Sequence, residues 1–539
     1  MMNSKLNIIL KHALKQTILT LFILAVSGLF IVFYGQYRNI RVTSDTLNVC
    51  NEPSIALNRT NPNNIVIGAN NTYCFSTFDG GNTWIVNKMY SSMGVWGDPS
   101  LTFDSNGSLF FAHLSGEPPI SGRWGDRIVI QKSTNGGLSW NDGAYTGLNR
   151  PKFEDKDWIS SDLTSSIYKN NLYVAWTEFD KLFDPNPAYK SRILFSRSTN
   201  EGETWSSPIE ISDIEGDCLD DDNTTEGAVP AIGPDGEIYI AWAGPQGIVF
   251  DRSFDGGITF GDDIFVSDLV GGWGWGYQIN GIYGNGLPQT ICDVSNSPYR
   301  GTIYILWSDQ RNGVINTDIF LKKSTDKGLT WSVIKKVNDD NSGRPQFFPW
   351  ICIDPITGII YIVYYDRRNT IGAMTEVYMA RSADGGDTFI NYLVSESAFE
   401  TNTQTFIGDY INIIAYNGKI YPVWTRSDLF GRSIILANID ESILEVKKNE
   451  TIRSYQLYQN YPNPFNPTTK IVYQIPTLSY VSLKVYDLLG REVAVLVNEE
   501  KPAGEYEVNF DASNLPTGIY FYQMITRSAV ITKKMVVLK

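Results

Sequence analysis

The chain has 539 residues, 42% hydrophobic and 13% aromatic, enough apolar mass for more than one core, so two or three domains are expected. A net charge of −14 with no basic stripe excludes nucleic acid as a natural partner, and two histidines, His12 and His113, exclude a multi-histidine zinc site. Five scattered cysteines with no Cys-x-x-Cys do not make a disulfide framework.

Residues 1–35 read as a targeting segment. Lys5, Lys11 and Lys15 precede an apolar run from Ile18 to Tyr34, as in a secretory signal. Cleavage near the weak site Ala25-Val-Ser27 and retention as an uncleaved anchor are both open, and export is expected in either case.

From residue 77 one phrase recurs six times. It runs Thr77–Trp84, Ser133–Trp140, Ser198–Trp205, Ser253–Phe260, Ser324–Trp331 and Ser382–Phe389, with the pattern Ser/Thr-x-Asp/Asn-x-Gly-x-Thr/Ser-Trp/Phe. The spacing of 55 to 71 residues marks a repeat architecture. Each copy reads as a hairpin turn: Asp79, Asn135, Asn200, Asp255, Asp326 or Asp384 caps it, Gly supplies a positive φ, and the aromatic ring staples the hairpin.

Two further elements keep the same rhythm. An apolar strand recurs at 64–70, 108–114, 171–177, 237–243, 302–308, 360–365 and 419–425, and an earlier partner at 53–57, 98–103, 157–161, 228–232, 288–292, 349–353 and 409–413. Seven such units favour a seven-bladed β-propeller, with six blades as the alternative. Residues 40–47 are expected to supply the missing outer strand of the last unit, because closing the ring hides its sheet edges. His113, in the alternating strand 109–114, reads as packing. Cys292 and Cys352, in equivalent strands, read as buried thiols. Cys50 and Cys74 are placed to bridge within the first repeat or to stay free.

Naming the strands of a blade a to d from the axis outward, alternation puts the d-to-a and b-to-c loops on one face and the repeated c-to-d turns on the other. The first face carries the chemistry. Asp98, Asp157, Glu226, Arg344 and Asp409 stand at the heads of a strands, and Asp309 with Arg311, Asp366 with Arg367 and Arg368, and Arg426 at the ends of b strands. Asp98, Asp157, Asp309, Asp366 and Asp409 are the candidate catalytic carboxyls, and Arg311, Arg367, Arg368 and Arg426 the candidate substrate clamps. Against this stands a plain reading in which the acid–arginine pairs knit loops together. Trp273, Trp275 and Tyr277, on a glycine-rich loop at 271–286, would either stack on a sugar or plug the channel. Asp217, Asp220, Asp221 and Asp222 offer hard oxygens to Ca²⁺, and a solvated loop explains the same run; no other cofactor is expected.

The six phrases resemble the Asp-box of the sialidase-like propellers, over roughly residues 41–440. That resemblance implies a propeller over 36–440. In true sialidases it also implies three arginines on the substrate carboxylate, a Tyr–Glu nucleophile and an Asp acid/base. The first of those arginines lies in Arg-Ile-Pro, which this chain lacks; Arg127-Ile-Val is the nearest. After a linker at 441–452, residues 453–539 alternate as a small β-sandwich. The segments 458–471, 481–493, 515–522 and 533–539 closely resemble a type IX secretion system type A sorting domain, which implies export and a partnership with that machinery. The expected function is therefore a glycoside hydrolase acting on extracellular glycan, or a non-catalytic propeller that binds glycan or surface protein, with a scaffold role third. A monomer is expected.

Overall fold

The computed structural model describes residues 37–44, 46–47, 49–70, 72–115, 125–276, 278–279, 282–401, 406–428, 431–444, 455–475, 479–501, 504–526 and 529–539. The targeting segment, with His12, and Tyr277 lie outside the described residues. The chain divides into two compact units, one ending at Ile439 and one beginning at Asp440.

The first unit is built of antiparallel sheets of four strands, each following the next in chain order. The first sheet holds Ser54–Leu57, Ile65–Ala69, Tyr73–Thr77 and Ile85–Lys88; the second Ser100–Phe103, Leu109–Ser115, Arg127–Ser133 and Ala144–Thr146. The third holds Phe153–Ser161, Leu172–Phe179, Ser191–Ser198 and Ile209–Glu210; the fourth Glu226–Ile232, Ile238–Gly244, Gly247–Ser253 and Ile264–Ser267. The fifth holds Gln289–Cys292, Ile303–Asp309, Asp318–Ser324 and Lys335–Lys336; the sixth Gln346–Ile353, Ile360–Asp366, Met374–Ser382 and Ile390–Leu393. A further sheet holds Asn412–Tyr416, Lys419–Asp428 and Gly431–Ala437, and its outer strand is Asn39–Arg41, paired Ile40 to Leu436. The innermost strands touch in order, and the last touches the first. This is a propeller, shut by its own N-terminal strand.

The b strands are buried along their whole length at 172–179, 238–244, 303–309 and 360–366. A strand covered by a neighbouring sheet on both faces needs apolar residues at nearly every position, and these segments have them. The five cysteines are free and buried, so Cys50 and Cys74 are not bridged. His113 is 1% exposed, and burial takes its imidazole down to about 4, so it packs as a neutral ring.

The repeated turn joins c to d in each of the first six sheets. In the fifth, Ser324 Oγ donates to Asp326 Oδ1 at 2.7 Å, Thr330 N donates to the same oxygen at 2.9 Å, and Thr330 Oγ1 donates to Oδ2 at 2.5 Å. Gly328 sits at φ +85, and a Cβ there would collide with Phe250 of the preceding sheet. The aromatic residue does more than staple its own hairpin. Trp331 meets Phe250 edge-on at 5.2 Å, and Phe260 meets Phe195 at 4.8 Å, so each ring ties its sheet to the one before.

The second unit is a sandwich. Gln456–Leu457, Thr468–Ile475 and Gly504–Asp511 form one sheet; Glu492–Lys501, Ser479–Tyr486, Gly518–Ile525 and Val530–Val537 form the other. Alternate residues such as Ile471, Tyr473, Leu483, Tyr522 and Met535 fill one core between them.

Trp331→Ala should cost about 2 kcal/mol, because it opens the seam between two sheets, and should lower the melting temperature by a few degrees. Val333, two residues on and 88% exposed, should tolerate Ala without change. Equal melting of both variants in calorimetry would show that the turn aromatics do not couple neighbouring sheets.

Candidate functional site

The site begins at the heads of the innermost strands. In the third sheet Asp155 pairs with Thr177 but Trp158 with Ala175, so one extra residue is inserted; the fourth and sixth sheets repeat this between Glu226 and Val229 and between Phe347 and Trp350. Lys156 (φ +52), Gly227 (φ +84) and Phe348 (φ +50) take the left-handed conformation there, and Glu52 and Asp98 (both φ +52) take it two residues before their own a strands. Left-handed backbone at a charged, non-glycine residue costs on the order of 1 kcal/mol. All but the break in the sixth sheet bring a charged side chain into one cavity: Glu52, Asp98, Asp155, Lys156 and Glu226.

Joined by Asp220 and Asp409 from loops, these carboxyls meet in a cavity of about 810 Å³ on the d-to-a face, lined by Glu52, Asp98, Asp155, Asp220, Glu226 and Asp409. Lys156 stands among them, its Nζ 3.8 Å from the centre of the Tyr410 ring. Tyr410 packs with Trp158 and Trp350, which are 4.3 Å apart and line a second, smaller cavity of about 240 Å³. Trp96, Phe183 and Phe406, all largely exposed, line the larger cavity together with Trp273 and Tyr283.

The acids hold one another up. Asp409 N donates to Glu52 Oε1 at 3.0 Å, Asn70 bridges from Glu52 to the Asp98 N–H, and Lys156 N donates to Asp155 Oδ1 at 2.9 Å and to Asp98 Oδ2 at 3.2 Å. Asp98 stands beside Asp155, and Asp220 beside Glu226, so the acids crowd one another in the cavity. Burial first, and then the neighbouring carboxylates, push Glu52, Asp155 and Glu226 well above the usual carboxylate range. Burial raises Asp409 to about 6 against the pull of Lys156, and the Tyr283 phenol to about 12.

Of the acids expected from the sequence, the structure brings Asp98 and Asp409 into this cavity. Asp157 lies beside it, 2% exposed, with both carboxyl oxygens unpartnered. Asp309 is gripped by Arg311, whose Nε donates at 2.8 Å, and by Trp307 Nε1 at 3.0 Å. Asp366 accepts from Arg368 Nε at 2.8 Å. These two acids and their arginines are loop ties away from the cavity. Arg367 is 2% exposed and bonds Thr375 and Thr401, while Arg426 reaches Ser397 at 3.1 Å. Trp273 lines the cavity and donates to Thr224 O at 2.9 Å, but Trp275, 1% exposed, is the core of its own hairpin, Gly274–Gly276 with Gly284–Asn285.

The acidic run 217–222 does not converge as a cation site. Asp217 accepts from Thr224 Oγ1, Asp221 and Asp222 accept backbone N–H groups, and only Asp220 turns into the cavity. Among the described residues no group of three or more His, Cys, Asp or Glu is arranged to hold a metal. None of the capping residues of the repeated turns lines the cavity.

Sequence reading passed over Glu52, Asp155 and Lys156. Glu52-Pro-Ser-Ile-Ala56 aligns with Asp98-Pro-Ser-Leu-Thr102, and that alignment was the available signal. Nothing local tells Asp155 from Asp157; only the bulge decides which of them reaches the cavity.

Residues 459–538 match the family model described as a secretion system C-terminal sorting domain. The domain directs export through the general secretory route and then type IX secretion, so the protein is secreted or displayed on the cell surface. No curated protein matches the chain. Similar solved structures include a Penicillium chrysogenum α-L-arabinanase complexed with arabinobiose (11% identity, 75% of this chain and 98% of that one, TM-score 0.42). A Trypanosoma rangeli sialidase in complex with sialic acid shares 10% identity over 84% of each chain, with a TM-score of 0.42. A Fusarium graminearum α-L-arabinofuranosidase shares 10% identity over 76% of this chain and 98% of that one, also with a TM-score of 0.42. These are likenesses of fold.

Asp409 keeps its proton up to about pH 6 in the folded chain but only to about pH 4 in the unfolded one. The stability this proton brings is present at low pH and lost as pH rises through about 6. Asp409→Asn should therefore melt above the parent protein at about pH 8, by an amount on the order of 2 kcal/mol, with the gap closing below about pH 4. A variant that melts lower at the higher pH would mean that the ionised carboxyl is well satisfied.

Proposed function

We propose that the protein is an exported, carbohydrate-active propeller that takes extracellular glycan into the carboxyl-lined cavity on its axis, and that the ring is seven-bladed. The reading rests on one observation: six carboxyls share one cavity with exposed aromatic rings. Glycoside cleavage needs one carboxyl that gives a proton and another that attacks or activates water, and surroundings that drive a pair of carboxyls to opposite protonation states provide both. Glu226, which holds its proton, takes the role of acid. Asp98, which accepts the Lys156 N–H, takes that of base or nucleophile. The cavity is large enough for one to a few sugar rings.

The second reading, binding without cleavage, is favoured by the rim. Trp96 and Phe183 are 56% and 63% exposed at the mouth, where aromatic faces grip the C–H face of a pyranose whether or not a bond breaks.

The purified protein should be tested against a panel of aryl glycosides and on a glycan array. With a turned-over substrate in hand, Glu226→Gln and Asp98→Asn should each lower kcat by about 100-fold or more, while Asp309→Asn and Asp366→Asn retain turnover. Full activity in the first pair would remove the catalytic assignment. Array binding with no turnover on any glycoside would leave the binding reading.

A further inference from the structure

The cavity is one-sided in charge. Six carboxyl side chains line it against three bases. Of the bases, Lys88 is exposed, and the Arg432 guanidinium donates to Phe406 O at 2.6 Å. Lys156 faces the acids at depth, and its charge also rests on the Tyr410 ring. Glu226 is 6% exposed, lines the cavity, and has one buried oxygen, Oε2, with no hydrogen-bond partner. A buried acceptor left empty among acids lacks a donor, and preferably a charged one. Trp273 and Tyr283 line the same cavity, and aromatic faces attract ammonium as well as sugar. Arg432 is the one arginine in the cavity lining; Arg311, Arg368 and Arg426 are elsewhere, tied to Asp309, Asp366 and Ser397.

Resting on the glycan reading above, we propose that the cavity selects a cationic sugar: a glycan bearing a free primary amine, whose ammonium is received by Glu226, Asp220 and their neighbours. The groups that face this ammonium are Glu52, Asp98, Asp155, Asp157, Asp220, Glu226 and Asp409 as acids, Lys156 and Arg432 as bases, and the Tyr283 and Tyr410 phenols. A cation entering this cavity favours the ionised form of Asp409, so binding expels protons to the solvent, while Glu226 keeps its own and receives the ammonium through Oε2. Affinity then rises with pH through about 6, for as long as the ligand amine keeps its own charge.

Isothermal titration of the whole protein with glucosamine trimer, its N-acetylated counterpart and sialyllactose, in two buffers of different ionisation heat near pH 6, tests this. The amine trimer should bind at least about tenfold tighter than the acetylated one, with net proton release, and sialyllactose should not bind. Lys156→Met, which removes the competing cation, should tighten the amine trimer several-fold, a gain that damage to the fold cannot mimic. Equal or better binding of the acetylated trimer, or no proton release, overturns the cationic preference and leaves the glycan reading standing. Binding of oligolysine with no saccharide bound overturns the glycan reading, and this inference with it.

Discussion

A closed ring of sheets brings its innermost strands together at the axis, where there is room for few side chains and little water. Here five of the innermost strands meet that crowding with a break: an inserted residue in the third, fourth and sixth sheets, or a charged residue in the left-handed conformation two residues before the strand in the first and second. The break rotates the backbone around it, so the residue ahead of it (Asp155, Glu226) or at it (Glu52, Asp98, Lys156) points across the axis. Without that backbone device the same sequence would send its acids along the sheet face or outward to solvent. The chemistry at the axis therefore depends on a local cost in backbone energy, offset by the burial of the long apolar b strands behind it.

The second consequence is electrostatic. Carboxyls drawn from several sheets cannot all ionise beside one lysine and the half-buried Arg432. Burial and mutual repulsion instead push Glu52, Asp155 and Glu226 toward their protonated forms. A core designed only for stability would avoid this, since buried like charges weaken the fold at neutral pH. The neighbouring loops behave differently. Asp309 and Asp366 sit at the ends of b strands with an arginine two residues on, and each acid is neutralised by that arginine. One side of the face is satisfied internally, and the other is kept unsatisfied around a cavity.

The scaffold was legible in the sequence because its signals are local and repeated. The capping Asp, the Gly at positive φ and the apolar b strand each recur at a fixed place, so the turns, the strand order and the closing N-terminal strand could be read directly. The reach of the turn aromatics could not. Trp331 sits in the connection between the third and fourth strands of its sheet, and only the stacking of sheets shows that it packs on Phe250 of the sheet before. The C-terminal unit was plain for a similar reason, its alternation being strict from Thr469 to Ile475.

The site was half legible, and the portion missed has one cause. Acids at strand heads on the d-to-a face are legible as candidates, and of these Asp98 and Asp409 line the cavity. Choosing among Glu154, Asp155 and Asp157 requires knowing where the ladder slips by one residue, because a slip exchanges the residues that face the axis for those that face the sheet. Glu154 in fact takes a hydrogen bond from Trp176 Nε1 at 2.5 Å inside the sheet, and Asp157 is sealed beside the cavity. A run of alternating acids and a lysine is thus three different environments within four residues. Composition gives that segment its charge, but the bulge alone decides which charge a ligand would meet.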